Sequence, residues 1–243
     1  MRKILTKKFF ERGAVKTAPE LLGTVLCRRF PRSRTSPGSP TSKTICFLIT
    51  EVEAYDGFKD KASHAHKGMT KRNFPMFGEA RRWYVYFTYG MHWMLNIVTG
   101  PRDYPAAVLI RGIVEAPPRN NIFSGTNIRL LANFSARPAG LRKATKNIIP
   151  GRLNGPDPLE ASPGVTAVPS RLRRGPLTGP AKLTKFLKIG KKFNNKPATR
   201  KTGLWIEDRG VKVPKNRIKR IRRVGVDYAG EWAKKKYRFI LKE

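Results

Sequence analysis

The chain has 243 residues, 40% of them hydrophobic, enough to bury a core as one large domain or two small ones. Its 51 Lys and Arg face only 16 Asp and Glu, a formal charge of +35, and such a surface selects polyanionic partners, of which nucleic acid is the commonest. No run of 18 apolar residues and no basic amphipathic helix points to a membrane, and Met1 to Lys8 lacks the apolar stretch of a secretion signal.

From the N-terminus, Thr6 to Leu22 reads as short helices with Phe9, Phe10, Val15, Leu21 and Leu22 on the apolar side and Gly23 as the stop. Thr24 to Phe30 reads as a strand, residues 31–43 as a Pro/Ser/Gly loop, and Thr44 to Tyr55 as a second strand. Cys27 and Cys46, each flanked by strand-like residues, read as reduced packing residues, with a disulfide as the alternative. A polar stretch without clear periodicity runs on to Ala80. "RRWYVYFTYGMHWMLNIVTG" (81–100) holds two aromatic and β-branched runs around Tyr89-Gly90-Met91-His92, a hairpin signature with Gly in the turn. Ala106 to Val114 is a further strand. Residues 116–178 are rich in Pro, Gly and Arg, and from 116 to 206 there are 18 Lys or Arg against Asp157 and Glu160 alone. That stretch reads as a partly flexible insertion lying on phosphates, or as a solvated loop. A helix is predicted from Pro180 to about Ile189 and short strands near Leu204–Glu207, Lys219–Val224 and Tyr237–Leu241. No repeat and no sharp linker divides the chain.

The chemistry-bearing residues concentrate after residue 50. In a chain so short of acid, Glu51 and Glu53 run straight on from the apolar Cys46 to Ile49, where solvation is poor. On a strand, Glu51, Glu53 and Tyr55 share one face and Val52 and Ala54 the other. A structural ion pair is the plain reading of such a carboxylate, and a catalytic group is the sharper one. His64 and His66 form an H-x-H pair, but with no third ligand at metal-site spacing no metal is assigned, and no cofactor is implied. Trp83, Val85 and Phe87 read as sheet core. Tyr89, next to the turn glycine, is placed to wedge between base steps.

The segments "EVEAYDG", "KASHAHKG", "TKRN", "MFG", "YVYFTYGMHWMLNIV" and "VLIRG", in that order, resemble the alkyladenine (3-methyladenine) DNA glycosylase family, and "GPAKL" (179–183) and "RVGVDYAGEWA" (223–233) continue the likeness. The densest block is 51–111. The resemblance implies a single mixed α/β domain around a curved, mainly antiparallel sheet with a protruding hairpin, spanning the whole chain and carrying the basic insertion. It implies a monofunctional, monomeric enzyme that flips a damaged purine out of double-stranded DNA and hydrolyses its glycosidic bond, the opening step of base excision repair. Glu53 would activate the water and Arg111 would hold the water and the carboxylate. Tyr55, His64 and Tyr86 would line the base pocket, Asn96 would crowd the exocyclic amine of guanine, and Tyr89 would fill the gap in the DNA. The spacer between Arg111 and "GPAKL" is longer and richer in Pro and Arg than the family pattern, and a Pro-Gly turn expected before the hairpin is replaced by "EARRWY".

Those roles are chemically coherent. Extrusion costs a few kcal/mol, less for a poorly paired lesion. Cationic alkylpurines suit electron-rich rings, and a departing base leaves an oxocarbenium-like sugar that a carboxylate stabilises. Two competing readings are an RNA-binding protein whose aromatics stack on single strands, and a glycosylase that also cleaves the backbone through a desolvated lysine. Cellular placement would be with the nucleoid of a bacterium or in a eukaryotic nucleus.

Overall fold

The computed structural model describes residues 3–31, 42–116 and 176–242; the loop at 31–43, save its ends, and nearly all of the insertion at 116–178 lie outside the described residues. The chain order is β1 (Lys3–Ile4), α1 (Lys7–Phe10), α2 (Ala14–Leu21), β2 (Val25–Phe30), β3 (Lys43–Asp56), β4 (Trp83–Thr88), β5 (His92–Val98), β6 (Ala106–Glu115), β7 (Leu177–Thr178), α3 (Pro180–Phe186), β8 (Leu204–Asp208), β9 (Ile218–Ile221), α4 (Glu231–Lys234) and β10 (Arg238–Leu241). The ten strands among the described residues join one curled sheet: seven follow the path β1-β8-β2-β3-β6-β5-β4, while β7 pairs with β6 and β10 pairs with both β3 and β9. Every pairing among them is antiparallel. The mixed α/β class with few helices is the one expected. No helix among the described residues is long and apolar enough to cross a membrane.

Period-2 alternation gives the sheet two different faces. Val52 and Ala54 of β3, Val108 and Ile110 of β6, Leu95 and Ile97 of β5 and Trp83 and Val85 of β4 point to the main core. Helix α2 covers them with Ala14, Thr17, Ala18 and Leu21, all buried and spaced as one helical face. Asp56, at the end of β3, accepts the Ala14 N–H at 2.9 Å and so ties the start of that helix to the sheet. The opposite face carries Tyr55, Tyr84, Tyr86, Asn96, Leu109 and Arg111, which wall a cavity.

Strand β3 is long enough to serve several partners. Its first half pairs with β2 on one edge, and further on that pairing gives way to β10, which aligns Arg238 with Glu53 and Ile240 with Glu51. Strands β9 and β10 therefore bring the C-terminal segment to the two glutamates.

Four expectations are corrected. Phe87, read as sheet core with Trp83 and Val85, is instead exposed near the end of β4, where the hairpin extends beyond the core. Cys27 and Cys46 are not free thiols but a disulfide. The β2–β3 register sets the two residues directly opposite one another, with their Cα atoms 4.1 Å apart, a pairing that two separately read strands could not reveal. Leu177–Thr178, read as loop, forms β7 against Gly112 and Ile113 of β6. The strand expected at Lys219–Val224 ends at Ile221, releasing residues 222–226 for another task.

Candidate active site

The site begins with two opposed irregularities in the β3–β6 ladder. Ile49 pairs with Ile113, Glu51 with Gly112 and Val52 with Ile110, which leaves Thr50 on β3 and Arg111 on β6 without a partner. Bulges of this kind bend a strand and re-aim a side chain. Gly112 is the residue that permits the close approach, because a Cβ there would sit 2.8 Å from the Glu51 Cβ and 2.9 Å from Thr50 Oγ1. Arg111 is thereby directed across the glutamate face. Its Nε donates to Glu51 Oε1 at 2.9 Å and its Nη1 to Glu53 Oε2 at 3.4 Å. Glu51 Oε1 also accepts from Arg238 Nε at 2.7 Å, so Glu51 ties the arginine of β6 to that of β10.

Glu53 is fully buried. Its Oε1 accepts the Val224 N–H at 2.9 Å and its Oε2 accepts the Tyr55 O–H at 3.0 Å. Burial raises the carboxyl pKa above the ordinary glutamate value, while Arg111, the Val224 N–H and the Tyr55 hydroxyl work in the opposite direction. Burial, then the Glu53 charge, pushes the Tyr55 phenol well above its usual value, so it remains a donor.

In front of Glu53 opens a cavity of about 530 Å³. Six of the residues singled out from the sequence line it: Tyr55, His64, Tyr86, Tyr89, Asn96 and Arg111. Glu53 itself is not in the lining; it lies behind Tyr55, Arg111 and Val224, each of which bonds its carboxylate. The aromatic wall is tightly associated. The His64 and Tyr86 rings meet edge-on at 4.6 Å between centroids, and those of Tyr84 and Tyr86 lie 5.1 Å apart. His64 Nδ1 is 3.0 Å from the Tyr84 hydroxyl. Burial within the wall, then the nearby Arg72, lowers the His64 pKa to about 4, although the ring faces the open cavity. It is therefore a neutral imidazole near pH 7. Burial pushes Tyr86 up to about 12. Asn96, buried in the floor, donates from Nδ2 to the Tyr84 carbonyl at 3.1 Å.

Tyr89 stands apart from this packing. It is 83% exposed. With φ of 51° at Tyr89 and 63° at Gly90, and a Met91 N–H to Thr88 carbonyl bond of 3.1 Å, the β4–β5 connection is a tight turn with both central residues left-handed. A bulky residue at positive φ is costly.

Several residues of the site were not picked out from the sequence. Arg72 places its guanidinium 4.9 Å over the Tyr86 ring. Asn73, fully packed, donates to the carbonyls of His64 at 2.8 Å and Gly68 at 2.9 Å, holding the loop that delivers His64. Arg238 and the 224–226 backbone come from the far end of the chain. The motifs "TKRN" and "RVGVDYAGEWA" were the signals for Arg72, Asn73 and Val224; Arg238 had none. His66 binds the Phe58 carbonyl at 2.9 Å, away from His64's partner. Among the described residues the one cluster of three metal-type side chains is Cys27, Cys46 and Glu207, and its sulfurs are joined to one another.

A family profile described as methylpurine-DNA glycosylase matches residues 8–122 and 160–243. The chain belongs to the methylpurine-DNA glycosylase family. The same relationship appears in curated relatives, each named "Putative 3-methyladenine DNA glycosylase". The one from Streptomyces avermitilis is 40% identical over 181 residues, covering 72% of this chain and 80% of its own length. That from Methanocella arvoryzae is 33% identical over 238 residues, 97% of this chain and 91% of its own length. A third, from Psychrobacter cryohalolentis, is 33% identical over 229 residues, 94% and 87% respectively. The stretch between the two matched blocks, 123–159, falls inside the basic insertion, so the residues of the cavity all belong to the part this chain shares with the methylpurine-DNA glycosylase family.

Proposed function

We propose that this protein releases alkylated or deaminated purines from double-stranded DNA by hydrolysis of the N-glycosidic bond. One observation carries the reading: a fully buried glutamate, fixed by an arginine and a tyrosine, lies immediately behind a cavity walled by aromatic rings. An RNA-binding surface gives no reason for that carboxylate; a reaction that builds positive charge at a sugar does.

In this reading the extruded purine stacks on Tyr86 with His64 at its edge, and Asn96 beneath limits what the exocyclic positions can carry. Glu53 Oε2 already serves two donors, but among the described residues Oε1 serves only Val224, leaving acceptor capacity for a water. As the C1′–N bond breaks, its electron pair goes to the purine. The water oxygen bonds to C1′ and its proton passes to Glu53, whose charge also stabilises the sugar. A cationic alkylpurine leaves as a neutral base without an acid, whereas a neutral purine such as hypoxanthine leaves as the anion, which takes a proton from solvent water. No lysine lines the cavity among the described residues, which favours hydrolysis without strand cleavage, and borohydride should trap no covalent adduct.

The test is the pH dependence of single-turnover base release from a duplex carrying one hypoxanthine. Glu53 acts only when ionised, and its pKa is raised by burial. The rate should therefore fall on the acid side with a midpoint above the ordinary glutamate value of about 4.3. A rate unchanged from pH 7 down through pH 4 contradicts the assignment of Glu53 as the base.

Tyr89 yields a second expected result. Its left-handed backbone and exposure are unexplained by packing, and strain at a solvent-facing tip points to a task outside the fold. Tyr89→Gly should keep the fold, with a Tm no lower than the parent's because glycine relieves the positive φ. Excision of a well-paired hypoxanthine should drop by about tenfold or more, since filling the vacated stack is worth a few kcal/mol. Equal excision by variant and parent refutes the wedge.

A further inference from the structure

The segment that follows β9 is held in place by a buried ion pair that takes no part in the steps above. Arg223 and Asp60 both have fully buried side chains. Asp60 Oδ1 accepts Arg223 Nη2 at 2.8 Å and Oδ2 accepts Nη1, a two-pronged contact. Each partner is also tied to backbone. Asp60 takes the N–H groups of Asp56 at 3.2 Å and Ala62 at 3.1 Å, ordering the loop between Tyr55 and His64. Arg223 donates to the carbonyls of Ala54 at 2.9 Å and Trp232 at 3.2 Å. Its guanidinium carbon lies 4.9 Å over the Tyr55 ring and 5.3 Å over that of Tyr237. The guanidinium is therefore clasped by a carboxylate, two carbonyls and two rings, and the next residue, Val224, donates its N–H to Glu53. Val224, Gly225, Val226 and Tyr228 then form one wall of the cavity.

We propose that Arg223 and Asp60 are a positioning pair for base release, docking the 223–228 segment so that the Val224 N–H meets Glu53 and the cavity wall closes against Tyr55. The proposal rests on the glycosylase reading above. Removing either charge leaves the backbone of Val224 free to withdraw, and Glu53 then loses one of the donors that favour its ionised form. Among the described residues, the charged and titratable groups around Glu53 are Tyr55 and Glu51 on β3, Tyr86 on β4, Arg111 on β6, Arg238 on β10, and Arg223 with Asp60. Of these, only the last pair acts through Val224.

The variants Asp60→Asn and Arg223→Lys keep size or charge while breaking the two-pronged contact. Single-turnover base release from a hypoxanthine duplex is measured against pH, each rate divided by the concentration of sites titrated with a lesion-bearing duplex, so that unfolded molecules do not count. The expected result is a rate about tenfold lower at neutral pH and an acidic midpoint about one unit higher, the size of one lost hydrogen bond to a charged group. A parental midpoint in both variants overturns the proposal, even where Tm or rate falls, because a pair that merely holds the fold leaves the ionisation of Glu53 unmoved. If the parent releases no base, or Glu53→Gln releases it as fast as the parent, the glycosylase reading itself fails. If those two behave as expected and the midpoints do not move, only the positioning pair is lost.

Discussion

Glu53→Gln should abolish nearly all single-turnover base release while binding to lesion-bearing duplex persists. A general base contributes about 10² to 10⁴-fold, roughly 3 to 5 kcal/mol of barrier, and the loss of a charge facing the oxocarbenium-like sugar adds to this. The amide has room to replace the carboxylate. Its oxygen can accept the Val224 N–H, its NH₂ can donate to the Tyr55 oxygen, and Arg111 retains its 2.9 Å contact with Glu51. Because the parent buries a charge with burial opposing its ionisation, the neutral variant should melt at or above the parental temperature. Glu51→Gln is the matched control. Glu51 contacts Arg111 and Arg238 rather than the cavity, so its loss should loosen Arg111 and slow release by a much smaller factor. An essential Glu51 with a dispensable Glu53 would reverse the roles assigned to the two.

Binding to undamaged duplex should collapse over a modest range of salt. With a formal charge of +35, the protein releases many counterions when it docks on DNA. Six to ten phosphate contacts correspond to a slope of about −5 to −9 in log affinity against log salt, or ~10³ to 10⁵ in affinity between 50 and 200 mM. Part of this charge adjoins the site: Lys219, Arg220 and Arg222 precede the segment that walls the cavity, and Lys234, Lys235 and Lys236 follow it, all of them exposed. A slope near zero, read by fluorescence anisotropy, would mean that the basic surface faces something other than DNA.

The strands were legible because their alternation is simple. Trp83, Val85, Leu95 and Ile97 take the core face and Tyr84, Tyr86 and Asn96 the cavity face, as a period of two requires. The burial of Glu53 could also be read from its place after an apolar run. What the sequence concealed depends on register and on contacts across great separations. Val224 reaches Glu53 over 171 residues and Arg223 reaches Asp60 over 163, and neither separation leaves a local pattern. The Cys27–Cys46 bond required knowing that two strands pair with those residues opposite. Arg111 was recognisable as a candidate, but the slip that aims it follows from the unpaired residues in the β3–β6 ladder and from Gly112 beside them. Asp60 looked like one more polar residue in a featureless stretch. Its importance comes from burial, which periodicity cannot report.

The most direct measurement follows the purified protein on three duplexes of one sequence, two with a single 3-methyladenine or hypoxanthine and one undamaged, with the released base identified by mass. The expected result is free damaged base in one-to-one yield with intact strands bearing an abasic site, and no base from the undamaged duplex. Tight binding to all three duplexes with no base released would contradict it.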